Sequence, residues 1–339
     1  LISQDKSLKE YNTFGVESIA AHYAPITCLS DLRELILSDV YQTEQRLILG
    51  GGSNLLLVGD FKGLVIHNLL EGIKVMKVGS ETVQVEAMAG ESWHELVQFC
   101  VEGNLGGIEN LSLIPGSVGA APMQNIGAYG VELKDCFVSL DAMHLESGQI
   151  KTFNKVQCGF GYRTSAFKEE LRDQYIILSV LLELQIEPKF NLSYGKVQEV
   201  IDADYGGEVS VKNVSAAICS IRESKLPDPA KIGNSGSFFK NAFIKKSHYK
   251  TLTALYDDIP HYPAEYDMVK IPSAWLIEQC GWKGKVVGNT GTYKNHSLVL
   301  VNHGAASGQE VYDLSNEIMK SVKDKFDIDL MREVNIVRS

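Results

Sequence analysis

The chain has 339 residues, a length that suits two or three domains better than one small core. Hydrophobic residues make up 45% and charged residues 22%, ordinary values for a globular protein, and no run of about 18 apolar residues marks a membrane span. A formal net charge of −10, without any basic block or arginine-rich stripe, excludes nucleic acid as an expected partner.

In chain order, Arg46-Leu47-Ile48-Leu49 reads as a strand that ends in Gly50-Gly51-Gly52-Ser53-Asn54. Leu64-Val65-Ile66 follows, and Val83 to Ala87 alternates with period two, so these runs predict strands of a sheet with one solvated face. Ser92-Trp93-His94-Glu95 has the Ser-x-x-Glu capping-box form and predicts a helix through about Val101. Strand-like runs return at Phe137–Met143 and Tyr175–Leu184. Val214, Ala217, Ile218 and Ile221 then fall at i, i+3, i+4 and i+7, one face of a helix that must stop before Pro227. Val311, Leu314, Ile318 and Val322 repeat that face in a late helix, and the last ten residues return as a strand. The fold class is α+β, with domain boundaries near residues 70 and 226.

The six cysteines, Cys28, Cys100, Cys136, Cys158, Cys219 and Cys280, show no Cys-x-x-Cys spacing. In a chain of this size that predicts reduced, mostly buried thiols and a cytoplasmic setting. Leu1 to Lys6 carries no apolar signal-peptide core. The eight histidines form no His-x-x-x-His pair, so no metal site is expected.

Two glycine-rich loops stand out. Gly50 to Asn54 follows a strand and suits either a plain tight turn or a nest of backbone N–H groups around a phosphate. It is not a Walker loop, and Leu55 stands where a dinucleotide fingerprint needs its third glycine. The second loop, Ile114 to Gly130, holds glycines, alanines and prolines with almost no charge. A solvated loop would be polar, so it is either a tightly packed core loop or a bed on which an extended ligand lies against the main chain.

Among polar residues, Ser237 sits in Gly236-Ser237-Phe238-Phe239-Lys240-Asn241, as a turn serine or as a hydroxyl proton donor. Arg163, and Arg222 and Lys225 near the end of the helix before Pro227, supply cations near glycine or proline, and surface cations are commonly just solvated. Glu333 begins an apolar terminal run.

Taken together these segments resemble the UDP-N-acetylenolpyruvoylglucosamine reductase family, flavoproteins of peptidoglycan synthesis. The resemblance runs from Asn12-Thr13-Phe14-Gly15 through both loops, Gly161-Tyr162-Arg163, Lys225 to Pro229 and Gly236 to Asn241, and ends at Glu333. It implies three domains: residues 1–70 and 71–226 as an FAD-binding module of the vanillyl-alcohol-oxidase/PCMH type, and 227–329 as a substrate-binding domain. Residues 330–339 would return to the FAD-binding part. It also implies noncovalent FAD, NADPH as hydride donor, UDP-N-acetylglucosamine enolpyruvate as the small-molecule substrate, and a monomer.

By the same resemblance, Gly51, Gly52, Ser53, Asn54 and Leu55 would cradle FAD together with the second loop. There the positions are Pro115, Gly116, Gly119, Ala120, Ala121, Gln124, Asn125, Gly127, Ala128, Tyr129 and Gly130. Arg163, Ser237 and Glu333 would be catalytic, with Ser237 the family's proton donor and Glu333 the more acidic alternative. Tyr162, Tyr194, Lys225, Asn241 and Gln279 would contact substrate. Asp258-Ile259-Pro260-His261-Tyr262-Pro263 stands where the longer family type carries a substrate-covering loop, so Tyr262 is either its lid residue or a surface tyrosine stiffened by two prolines. Two positions depart from the pattern: Ala242 follows Asn241 where proline is frequent in the family, and Arg332 precedes Glu333 where proline or an acid often stands.

Overall fold

The alternation of Thr82–Met88 is realised as alternating burial, and this strand lies second from the edge of a five-stranded antiparallel sheet. The sheet runs Ile150–Asn154, Phe137–His144, Tyr175–Gln185, Thr82–Met88, Ile73–Val78. Its central strand, Tyr175–Gln185, is apolar almost throughout because paired strands flank it and side chains cover both faces. The computed structural model describes the backbone of residues 1–339 and all side chains except that of Val78.

Contacts divide the chain into two compact units. The first comprises residues 1–6, 20–52 and 62–224; the second comprises 7–19, 53–61 and 225–339. The five-stranded sheet lies in the first. A four-stranded sheet belongs largely to the same unit, in the order Ser3–Ser7, Ile19–Ile26, Phe61–Asn68, Arg46–Leu49. The last two of these strands run parallel. One sheet with one solvated face was the expectation for the runs at 46, 64 and 83, and the structure corrects it. The first two belong to a different sheet from the third, and Phe61–Asn68 is buried on both faces. A cluster containing Leu32, Leu35, Tyr41, Met143 and Leu178 packs against its Leu64 and Ile66.

The helix Trp93–Glu102 starts at Ser92, whose side chain accepts from the Glu95 N–H. Only that half of the expected capping box forms, which still caps one orphan donor of the first turn. The helix Val211–Lys225 buries Val214, Ala217, Ile218 and Ile221 and ends before Pro227.

In the second unit a four-stranded antiparallel sheet runs Gly233–Ser237, His296–Asn302, Thr290–Tyr293, Val286–Val287. A three-stranded sheet runs Ala242–Lys245, Met268–Ile271, Tyr262–Pro263. The helix Gly308–Phe326 begins with a complete capping box between Ser307 and Glu310. It buries Val311, Leu314, Ile318 and Val322, at about 1.5–3 kcal/mol for each large apolar side chain. The terminal strand Asn335–Val337 pairs parallel with Leu55–Leu57. Among the described residues no helix is long and apolar enough to cross a membrane. All six cysteines are free; Cys100, Cys136 and Cys158 are buried, and burial pushes each of these thiols up to about 12.

Candidate active site

In the first unit the two glycine-rich loops meet main chain to main chain. A Cβ added to Gly51 would lie 2.9 Å from the Gly116 Cα and 3.2 Å from the Ser117 nitrogen, so no side chain fits between them. The second loop is in turn tied to residues 89–93. Trp93 N–H donates to Gly116 O at 2.9 Å, Val118 N–H to Glu91 O at 2.8 Å, and Gly119 N–H to Ala89 O at 2.9 Å. A Cβ on Gly119 would stand 2.6 Å from that of Ala89. These bonds direct one side of the loop inward, burying Val118, Ala121, Pro122 and Ile126. Pro115, Ala120 and Gly130 are exposed. The uncharged composition therefore serves a loop that is half core and half bare main chain.

The first loop has a further support that sequence reasoning missed. His67 lies in the strand Phe61–Asn68, its Nδ1 2.6 Å from the Tyr23 hydroxyl, and its ring also bonds to the backbone of Gly50. Burial pushes His67 below the usual histidine range, so the ring is neutral. One neutral tautomer serves both partners, accepting from Tyr23 at Nδ1 and donating to the Gly50 carbonyl from Nε2. A lone histidine after Leu64-Val65-Ile66 gave no sequence signal for this role.

Asn125 has φ +46°, and its side chain is engaged by protein: Nδ2 donates to Glu132 Oε2 at 3.0 Å and Gly161 O at 3.2 Å, while Oδ1 accepts from Lys134 N–H at 3.0 Å. It shapes the loop through its own conformation. Tyr129 and Gly130, at φ +49° and +79°, make the two-residue turn joining Gly127–Ala128 to Val131–Glu132. Ser165 Oγ donates to Met123 O at 2.8 Å, and Lys168 Nζ to Gln124 Oε1 at 3.3 Å.

Arg163 reaches the far end of this loop. Its Nη2 donates to Gly127 O at 2.6 Å, its guanidinium lies 5.5 Å from the Tyr162 ring centroid, and its own φ is +54°. Tyr194 packs edge-on against Tyr129 with centroids 6.5 Å apart. Arg222, on the helix Val211–Lys225, joins this group; the sequence offered it only as a cation near the helix end, with no role in the site. Burial lowers its pKa, Tyr129 opposes the shift, and Arg163 adds to it. Its Nε is buried with no hydrogen-bond partner among the described residues. A buried guanidinium with an unused donor, beside a second arginine, suits an anion.

In the second unit Ser237 ends the strand Gly233–Ser237. The strand's pairing with His296–Asn302 shifts register between Asn234 and Ser237, where Gly236 has φ +65°. Glu333 N–H donates to Phe238 O at 2.8 Å, Lys240 N–H to Met331 O at 2.9 Å, and Phe239 bridges Arg332. Two residues 96 positions apart, Ser237 and Glu333, thus stand on neighbouring extended segments. Asn241 Oδ1 accepts from Ser273 N–H at 3.1 Å. Tyr262 is 44% exposed, opposite Lys270 in the edge pairing, with Lys270 Nζ 5.1 Å from its ring centroid. Ser53, Asn54 and Leu55 also fall in this unit; Asn54 O accepts from Asn335 N–H at 3.1 Å and from its Nδ2 at 2.9 Å.

Gln279 is exposed at the end of the helix Ser273–Gln279, its carbonyl accepting from Lys325 Nζ. Burial pushes the nearby His296 below its usual range; Glu278, the neighbour of Gln279, opposes that shift and Lys225 adds to it. Glu278 also accepts from Ser297 Oγ at 3.3 Å and pairs with Lys283 at 3.0 Å. Nδ1 of His296 is buried and unpartnered among the described residues. Neither Glu278 nor His296 carried a sequence signal, since Glu278 lies in a short helix and His296 opens an ordinary apolar strand. Among the described residues no three His, Cys, Asp or Glu side chains are grouped to hold a metal ion.

A family model described as an FAD binding domain matches residues 35–154, the stretch that contains both glycine loops. A second, described as the UDP-N-acetylenolpyruvoylglucosamine reductase C-terminal domain, matches residues 228–337. Loops that pack backbone on backbone, with Gly51, Gly116 and Ser117 N–H groups not bonded to protein among the described residues, fit a dinucleotide pyrophosphate. Fold and loops together make the chain an FAD-dependent oxidoreductase. The UDP-N-acetylenolpyruvoylglucosamine reductase of Flavobacterium johnsoniae is 45% identical over 337 residues, 99% of each chain, and that of Amoebophilus asiaticus is 44% identical over the same share of each. The crystal structure of the Thermus caldophilus reductase superposes with a TM-score of 0.68 at 22% identity, covering 100% of this chain and 98% of its own. The chain belongs to the UDP-N-acetylenolpyruvoylglucosamine reductase family.

Proposed function

We propose that the chain reduces the enolpyruvyl group of UDP-N-acetylglucosamine enolpyruvate to UDP-N-acetylmuramate, for peptidoglycan precursor synthesis in the cytoplasm. NADPH is the hydride donor, and the chain acts as a monomer with a functional division at residues 1–70, 71–226 and 227–329. FAD, held noncovalently by the two glycine loops, supplies hydride transfer between NADPH and the sugar.

The observation that carries the reading is the bridge at Phe239 and Arg332, which sets a hydroxyl and a carboxylate on neighbouring extended segments. Hydride arriving at the methylene carbon of an enol ether leaves negative charge on the next carbon, spread into the attached carboxylate. Arg163 is the cation we assign to that carboxylate, with Arg222 as a second buried positive charge. Loss of one such preorganised donor typically costs about 2.7–4 kcal/mol of transition-state stabilisation. Ser237 then protonates the carbanion, a step that needs a positioned hydroxyl and no histidine base. Glu333 polarises the site next to it. Lys225 and Asn241 take the anionic diphosphate, Tyr162, Tyr194 and Gln279 line the substrate, and Tyr262 covers it. A few such cations explain how an acidic protein receives an acidic ligand.

Ser237→Ala should leave flavin reduction by NADPH intact and slow reoxidation by the enolpyruvyl sugar by roughly two to four orders of magnitude. Anaerobic stopped-flow absorbance separates the two half-reactions. Equal loss in both would remove Ser237 as the proton donor.

A further inference from the structure

Arg332 stands where the family pattern often has proline or an acid, immediately before the carboxylate assigned to the reaction. Residues 331–333 run antiparallel to 238–240, fixed by the two backbone bonds from Lys240 and Glu333. Successive side chains of an extended segment leave on opposite faces, so Arg332 and Glu333 diverge. The guanidinium of Arg332 goes to the helix Gly308–Phe326. Its Nε donates to Ser315 Oγ at 2.9 Å, its Nη2 donates to Asn316 Oδ1, and its carbon centre lies 4.6 Å from the Tyr312 ring centroid. Arg338 packs on the same ring at 3.9 Å.

Tyr312, Ser315 and Asn316 fall at i, i+3 and i+4, so one face of one helix holds all three contacts. A planar fork engaged at two donors and a ring face has little freedom left, and a lysine ammonium cannot reproduce that geometry. The helix itself is anchored by its buried apolar side, so it is a firm support for the segment.

We infer that Arg332 is a positioning residue for the reductase reaction, clamping the segment 331–334 to the helix so that the Glu333 carboxylate is held in a fixed orientation on the opposite face of that segment. The inference rests on the reading of Glu333 as a catalytic group.

The test uses the full chain loaded with FAD, with NADPH and UDP-N-acetylglucosamine enolpyruvate added in turn under anaerobic conditions. Arg332→Met should slow flavin reoxidation by the sugar roughly tenfold to a hundredfold, the scale of a small misplacement, with flavin reduction unchanged. Arg332→Lys should recover little of that loss. In a Glu333→Gln background, Arg332→Met should add no further loss, because the group it positions is already gone. Should Arg332→Met not fold, Tyr312→Leu removes the ring while keeping the helix and is expected to show the same selective loss. Unchanged reoxidation, equal loss in both half-reactions, or a loss fully additive with Glu333→Gln each overturns the positioning role. Wild-type reoxidation by Glu333→Gln itself would instead remove the catalytic reading of Glu333, and the positioning role with it.

Discussion

His67 ties the first glycine loop to Tyr23 by a neutral ring bonded on both sides. Its replacement by leucine leaves the Tyr23 hydroxyl and the Gly50 carbonyl without their partner at about 1–3 kcal/mol. His67→Leu is therefore expected to weaken FAD binding about five- to a hundredfold, read as a Kd from quenching of flavin fluorescence; unchanged affinity would separate His67 from the cradle. Residue types alone could not show this, because the histidine sits in an apolar run and its partner is 44 positions away. Asn125 shows the converse: its place in the loop was legible, while its three bonds to protein were not. Arg222 looked like any cation near a helix end, and only its burial distinguishes it. The departure at Arg332 placed a cation next to Glu333 in sequence, yet the pleat sends the two side chains apart.

At the scale of elements, the helical faces were the most legible feature. Val214, Ala217, Ile218 and Ile221, like Val311, Leu314, Ile318 and Val322, carry a period that only a helix can bury on one side. Strand partners were not legible, because sheet order depends on distant segments: Asn335–Val337 pairs with Leu55–Leu57 across some 280 residues. Phe61–Asn68 lost its expected solvated face for the same reason, since the cluster that covers it comes from elsewhere in the chain. Close approach at Gly119 leads to a direct test. Gly119→Val puts a branched side chain against Ala89 and must push the loop off residues 89–93. The variant should purify largely free of flavin, measured as the ratio of absorbance at flavin and protein wavelengths. Full flavin content would contradict the account of the loop pair.

The whole molecule is two compact units whose segments interleave along the chain, so neither is a contiguous stretch of sequence. Its response to acid follows from three histidines. Burial is the chief cause that pushes His67, His94 and His296 below the usual range, with Arg222 adding to it at His94 and Lys225 and Lys283 at His296, where Glu278 opposes. In the unfolded chain they take up protons near pH ~6.5, while the folded chain keeps them neutral to lower pH. The unfolded state thus binds more protons below that point. The stability they contribute is fully present above about pH 6.5 and is lost as pH falls from there toward their folded values. The melting temperature should fall between pH 7.5 and roughly pH 5.5, and His67→Gln should flatten part of that slope. A melting temperature that is level or rises on acidification would contradict this.

Most direct for the central claim is an anaerobic absorbance spectrum of the FAD-loaded protein, followed as NADPH and then UDP-N-acetylglucosamine enolpyruvate are added. Flavin bands should bleach with NADPH and return with the sugar. Bleaching without recovery would contradict the proposed substrate, and a protein that takes up no FAD would contradict the site itself.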